Sequence, residues 1–252
     1  MDNIKEIIGN ITKIIVPFED DYTSVFVIKT EGGNILFDCA TTKYDVDEYI
    51  APALEKLGVT PDFIICSHYH GDHMGGEVFL AEKYPNAKRG KIARNDEDMT
   101  GKIPLSDKDV IFDCIEIVSL PGHCEDALAL FDKRTSTLVS GDCLQLCGVG
   151  RYGTGVFDAA SYIKSIEKLR GSSVENIITS HEYVPLGFLA IGKEAVAKYL
   201  DECEKYIYVL KDFANKHKDL PYKEIASLYN SENKNLPPVG AYTFKTVAED
   251  IK

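Results

Sequence analysis

Three of the six histidines of this 252-residue chain fall within six residues, at His68, His70 and His73, with Asp72 beside the last. The segment Ser67-His68-Tyr69-His70-Gly71-Asp72-His73 follows directly on the run 62–67, Asp-Phe-Ile-Ile-Cys-Ser, which reads as a short strand buried on both faces. Imidazole nitrogens and carboxylate oxygens are the donors that suit Zn²⁺ and similar borderline divalent ions. On extended backbone, residues two apart point the same way, so His68 and His70 can grip one ion together. Asp72 and His73 lie beyond Gly71, where the chain can turn and address a second point, and Gly71, Gly75 and Gly76 permit close backbone approach. Satisfied core or surface histidines are the alternative, and this spacing behind an apolar strand favours metal binding over it.

The rest of the chain is globular in composition, 44% apolar and 27% charged. Its 28 Lys+Arg against 40 Asp+Glu give a net charge of −12, which argues against a broad nucleic-acid surface. A small anionic substrate held by local cations remains compatible with that charge. No apolar run approaches the roughly 18–20 residues needed to span a bilayer, and no basic segment followed by an apolar one opens the chain. The seven cysteines, at 39, 66, 114, 124, 143, 147 and 203, are odd in number and show no disulfide-framework spacing. The expectation is a reducing, cytoplasmic setting, with Cys143 and Cys147 ordinary thiols rather than a redox or metal pair.

Along the chain, 7–18 reads as an opening strand, and 23–30 with 35–40 as a hairpin turning at Gly32-Gly33. A helix is expected over 45–57, weakened by Pro52, and another over 74–84. The stretch 88–107 reads as loop with one short strand, 109–120 as a strand or bent pair, and 126–132 with 135–142 as a hairpin. Helix 158–170 has Asp158 as its N-cap, 176–181 is a strand, and 190–218 is one helix or two. Helices over 222–230 and 242–252 close the chain, on either side of a turn at 236–238. Hairpins alternating with helices suggest stacked sheets covered by helices.

The His-x-His-x-Asp-His segment resembles the signature of metallo-β-lactamase-fold hydrolases, and further motifs follow in order. Leu120-Pro121-Gly122-His123, Ser140-Gly141-Asp142 and Ser180-His181 are similar to the family's later ligand motifs, and Asp38 to its early supporting acid. The resemblance covers roughly 10–185. It implies an α/β fold, a four-layer αββα sandwich, here one domain spanning 1–252 with a helical C-terminal extension over 190–252. It implies two divalent metal ions, Zn²⁺ first, with Fe or Mn equally compatible with such donors. His68, His70 and His123 would hold one ion and Asp72, His73 and His181 the other, with Asp142 bridging and Asp38 behind them. Asp72 would also be the catalytic proton acceptor. His217 is left as a surface residue.

The resemblance also narrows the chemistry. Asp142 stands where the family's true β-lactamases carry Cys or Ser. Cys147-Gly148-Val149-Gly150-Arg151 is similar to the Cys-Gly-Arg/Lys region of glyoxalase II-like thioesterases, and His181-Glu182-Tyr183 to their His-Glu-Tyr. Arg151 and Tyr183 would then contact substrate. Val149 is an insertion in that pattern, and no Arg follows Arg170, so glutathione specificity is disfavoured. The expected activity is metal-dependent hydrolysis of a small thioester, ester or lactone, with hydroxide as the attacking group. Phosphodiester hydrolysis is the alternative, with β-lactam hydrolysis and a non-catalytic metal-binding role ranked below it. The expected partner is a small molecule, not nucleic acid or membrane, and the oligomeric state is left open.

Overall fold

The computed structural model describes residues 3–95 and 97–251. Lys252, the end of the expected last helix, lies outside them. The chain divides into two compact units, 1–119 with 128–135, and 120–127 with 136–252.

In the first unit a seven-stranded sheet runs in chain order: β1 Ile4–Ile8, β2 Ile11–Phe18, β3 Asp21–Lys29, β4 Asn34–Phe37, β5 Phe63–Ile65, β6 Lys88–Lys91 and β7 Ile103–Pro104. The expected opening strand is two strands, because Gly9, at φ +55°, turns the chain between them. β1 to β4 pair antiparallel, whereas β4, β5, β6 and β7 pair parallel. The carboxyl ends of adjacent parallel strands are where open α/β sheets present functional loops. Here β4 ends into Asp38 and β5 into Cys66-Ser67-His68.

The expected helix 45–57 is a composite of α1 Lys43–Asp45, a π-helical turn Val46–Ile50, and α2 Ala51–Lys56. Thr42 and Asp45 form a capping box at its start. Pro52 sits in the first turn of α2, where the wider turn before it spreads the carbonyls its ring would otherwise meet. Val46, Ile50, Ala53, Leu54 and Leu80 pack with Val16, Val25, Val27 and Leu36 of the sheet in one apolar core.

The expected helix 74–84 is broken into α3 Gly71–Met74 and α4 Glu77–Lys83. The break is a close approach. A Cβ on Gly75 would lie 2.2 Å from the Thr41 carbonyl oxygen, and one on Gly76 2.0 Å from that of Cys39. Gly71 would meet nothing within 4 Å, so crowding does not explain it. A bent antiparallel ladder, β8 Val110–Ile111, β9 Ile115–Ser119 and β10 Leu128–Asp132, completes the unit.

In the second unit β11 Thr137–Val139 pairs parallel with β14 Asn176–Ile178, which pairs antiparallel with β15 Leu189–Ile191. Residues 190 and 191, expected as the start of the helix, belong to this added strand. A small ribbon, β12 Gly148–Val149 and β13 Tyr152–Gly153, was not legible in the sequence. Helix α5 Ala159–Arg170 carries the expected Asp158 cap, whose carboxylate accepts from the Ser161 amide. Helix α6 Lys193–Lys216 is single and buries Val196, Tyr199, Leu200, Cys203, Tyr206, Ile207 and Leu210 at helical spacing. Helices α7 Tyr222–Glu232 and α8 Ala241–Glu249 pack with it through Tyr206, Phe213, Tyr229 and Phe244. Tyr199 and Tyr206 are thus core residues, Phe213 is half-buried against Tyr229 and Phe244, and Tyr208 is exposed. No helix among the described residues is long and apolar enough to cross a membrane.

Candidate metal centre

The first unit gathers His68, His70, Asp72 and His73 around a buried carboxylate, Asp38. The Asp38 amide is held by the Ile65 carbonyl at 2.8 Å, where β4 and β5 leave the sheet together. The residue adopts φ +69°, a region Asp and Asn tolerate better than most. Its Oδ1 accepts from the Ser67 amide at 2.7 Å, and its Oδ2 from the Ser67 hydroxyl at 3.0 Å and from His73 Nδ1 at 2.8 Å. The Ser67 hydroxyl, having donated to Asp38, accepts from His68 Nδ1 at 2.9 Å. One carboxylate thereby sets both tautomers: the Nδ1 protons of His68 and His73 are engaged, and each Nε2 keeps its lone pair.

The rings of His68 and His73 lie 4.3 Å apart by centroid, and those of His68 and His70 4.6 Å. The pairing of His68 with His70 arises differently from the expectation. Residues 67–69 are a bend rather than strand, and His70 is the extended residue at the start of α3. His73 Nε2 is 3.1 Å from Asp72 Oδ2, so the last two donors of the motif share one locality. The backbone holds the turn in place, with the Cys39 amide bonding the His73 carbonyl at 2.8 Å and the Gly76 amide that of Ala40 at 3.0 Å. Arg94, which the sequence reading passed over, lies 4.5 Å over the ring of Tyr69.

The second unit gathers His123, Asp142 and His181. Strands β11 and β14 run parallel with Val139 opposite Ile178, so Ser140-Gly141-Asp142 and Thr179-Ser180-His181 leave the sheet side by side. The Ser140 amide donates to the Ile178 carbonyl at 2.8 Å and the Ser180 amide to that of Gly141 at 3.2 Å. His123 stands on the loop before α5. There Gly122 has φ +140°, and a Cβ on it would fall 2.5 Å from the backbone of Tyr162. The amides of Phe157 and Asp158 both donate to the Gly122 carbonyl, at 2.8 and 3.0 Å.

The His123 Nδ1 proton goes to the Gly155 carbonyl in a short hydrogen bond, leaving Nε2 as the donor atom. Asp142 presents Oδ2 3.9 Å from His123 Nε2 and Oδ1 3.5 Å from His181 Nε2. Its two oxygens thus address two different imidazoles, the disposition a bridging carboxylate needs. Gln145, which the sequence reading missed, is buried against both ligand candidates. Its Nε2 lies 3.1 Å from His123 Nδ1 and 3.5 Å from Asp142 Oδ2, while its Oε1 accepts from the Gly155 amide at 2.6 Å. Nothing in the spacing of Gln145 distinguishes it from a surface glutamine.

The donor chemistry fits a divalent ion in each set: His68, His73 and His123 have anchored Nδ1 atoms and present Nε2, and carboxylate oxygens lie beside them. Of the expected substrate contacts, Arg151 is exposed at the turn of the β12–β13 ribbon, its guanidinium 5.5 Å from the Tyr152 ring. Tyr183 is only 2% exposed and meets the His181 ring edge-on, 5.7 Å between centroids. His217 caps the end of α6 against Phe213, outside both sets. None of the seven cysteines is in a disulfide.

These two sets of side chains stand on a fold that comparison with known proteins identifies. The family model of the metallo-beta-lactamase superfamily matches residues 19–181, and the chain belongs to that superfamily. Among curated relatives, a beta-lactamase-like protein 2 homolog from Caenorhabditis elegans is 28% identical over 176 residues, 66% of this chain and 57% of that protein. A hydroxyacylglutathione hydrolase from Brucella ovis is 30% identical over 141 residues, 53% of each chain. This chain therefore spans only part of the length of the curated relatives it matches. A solved metallo-beta-lactamase family protein from Thermus thermophilus superimposes over 96% of this chain and 92% of its own, with TM-score 0.71 and 14% identity. The expected α/β metallo-β-lactamase fold, with its helical C-terminal region, is the fold of this chain.

Proposed function

We propose that the chain is a metal-dependent hydrolase of small carbonyl esters, a thioester or lactone first, working with two divalent ions, Zn²⁺ foremost. His68, His70 and His123 would hold one ion and Asp72, His73 and His181 the other, with Asp142 shared. The observation that carries the proposal is Asp142, whose oxygens face His123 and His181 separately. Superfamily membership and the relationship to a hydroxyacylglutathione hydrolase support the reaction class. When bound, such ions polarise the substrate oxygen and make hydroxide available near neutral pH. The protein's own part is to hold the tautomers of His68, His73 and His123 through Ser67, Asp38 and the Gly155 carbonyl, so that these three imidazoles need not reorganise. Asp72, with 16% of its side chain exposed, accepts the proton released as the nucleophile forms. Arg151, at its exposed turn, attracts substrates bearing a carboxylate, and Tyr183 braces His181. The substrate is read as a small molecule, and cysteines outside disulfides fit a reducing, cytoplasmic compartment.

The test is metal analysis joined to a substrate screen. Protein expressed in metal-replete medium should carry about two ions per chain, and should hydrolyse thioesters or lactones faster than phosphodiesters or a cephalosporin. A chain that retains no metal, or that cleaves only phosphodiesters, would overturn the proposal.

A further inference from the structure

Phe157 and Tyr242 are large aromatic residues, 42% and 54% exposed, yet their rings are in contact with each other. Their centroids lie 5.1 Å apart at a tilt of 49°, and the Phe157 ring is 6.1 Å from the imidazole of His123. Both stand on fixed backbone. The Phe157 amide is bonded to the Gly122 carbonyl, one residue before His123. Tyr242 lies in the first turn of α8, which is tied to the strip carrying Phe157. The Thr243 hydroxyl donates to the Thr154 carbonyl at 3.0 Å, and the Thr246 hydroxyl accepts from the Ala159 amide at 2.9 Å. Just ahead of α8, the Pro238 carbonyl accepts from the Gly153 amide at 2.9 Å.

Two half-exposed rings on backbone tied by these hydrogen bonds make a binding surface that needs little ordering when it is covered. Neither side chain is charged, so the surface rewards a flat apolar group rather than a carboxylate or a polyol. We propose that Phe157 and Tyr242 form an aromatic wall beside His123 that receives the acyl part of the substrate, and that this acyl part is an aryl or similarly flat apolar group. The inference rests on the reading of the chain as a carbonyl-ester hydrolase with His123 as a ligand. It sets this chain's substrate class apart from a short hydroxyacyl group, and it assigns α8 a share in specificity.

The experiment uses the full, metal-loaded chain and two thioesters of the same neutral thiol, phenylacetyl- and acetyl-N-acetylcysteamine. Binding of phenylacetate and of acetate is measured in parallel by NMR titration. The wild type should prefer the phenylacetyl thioester in kcat/KM by about tenfold or more. Phe157→Ala and Tyr242→Ala should each remove most of that preference through KM, leaving the acetyl thioester within about twofold. Phe157→Leu, which keeps apolar bulk, should fall between. A wild type indifferent to the acyl group, or variants that keep the preference, would overturn the wall while leaving the hydrolase reading intact. Lack of turnover on either thioester and on lactones would instead overturn the hydrolase reading. The wall would then be judged by binding alone: it stands if phenylacetate binds more tightly than acetate and loses that advantage in Phe157→Ala, and falls otherwise.

Discussion

Replacing Asp38 by Asn tests the central claim about how the histidines are held. Asn is the substitution of choice because it keeps the size of the side chain and tolerates the positive φ found there. Its amide oxygen can still accept from the Ser67 amide at the position of Oδ1. The group replacing Oδ2 is then an NH₂, which donates where the carboxylate accepted from His73 Nδ1 and from Ser67. His73 must turn Nδ1 into an acceptor, which puts its proton on Nε2, the atom intended for the metal. The Ser67 hydroxyl loses its acceptor as well, and the tautomer of His68 loosens with it. Partners of this kind are typically worth about 10–100-fold in metal affinity. That corresponds to about 1.4–2.7 kcal/mol of binding free energy. The metal-free protein should lose about 2 kcal/mol of stability with the charge-assisted bond. Chelator competition with a zinc indicator measures the first quantity and urea unfolding of the stripped protein the second. If the variant binds Zn²⁺ as tightly as the wild type while remaining folded, the tautomer argument is wrong.

Three further outcomes can be checked independently. Gln145→Leu should weaken metal binding about tenfold, since Asp142 and His123 lose a shared neighbour, and an unchanged affinity by the same competition assay would reduce Gln145 to packing. Gly76→Ala should destabilise the protein by about 2–4 kcal/mol in urea unfolding, because its Cβ would fall 2.0 Å from the Cys39 carbonyl and the backbone must move; a loss below about 0.5 kcal/mol would contradict that packing. Burial pushes the Cys203 thiol up to about 12, so the folded state keeps a proton that the unfolded chain releases from about pH 9. Stability should therefore be fully present below pH 9 and fall as the pH rises toward 12, and urea midpoints between pH 8 and 11 should decline less steeply in Cys203→Ala.

What the sequence disclosed and what it hid follow from the range of the interactions. The motif from His68 to His73 could be read because its donors are neighbours in the chain, and the Asp158 cap because a cap is a local device. Asp38, His123, Asp142 and His181 could be placed only through the ordered resemblance, since no spacing rule links them. Gln145 escaped, and Gly122 was legible only as part of its motif, because their roles come from contacts with Gly155 and Tyr162, which only the folded chain brings near. The split of 7–18 at Gly9, and of 74–84 at Gly75-Gly76, shows apolar periodicity running past a break that backbone geometry imposes. Strand β15 was read as helix because three residues before a long helix carry no period of their own.

The bonds that join α8 to residues 153–159 also have a consequence for the order in which the molecule can be completed. A nascent chain whose emerged portion stops at residue 230 would leave the Ala159 amide and the Thr154 carbonyl without the partners that Thr246 and Thr243 provide. The strip that accepts the proton of His123 would then keep only its bonds to Gln145 and to the Gly122 carbonyl. Maturation of that ligand is in this sense a late event of synthesis, gated by a helix that supplies no ligand itself. A protease that clips the turn before α8 would reopen the same strip in the finished protein.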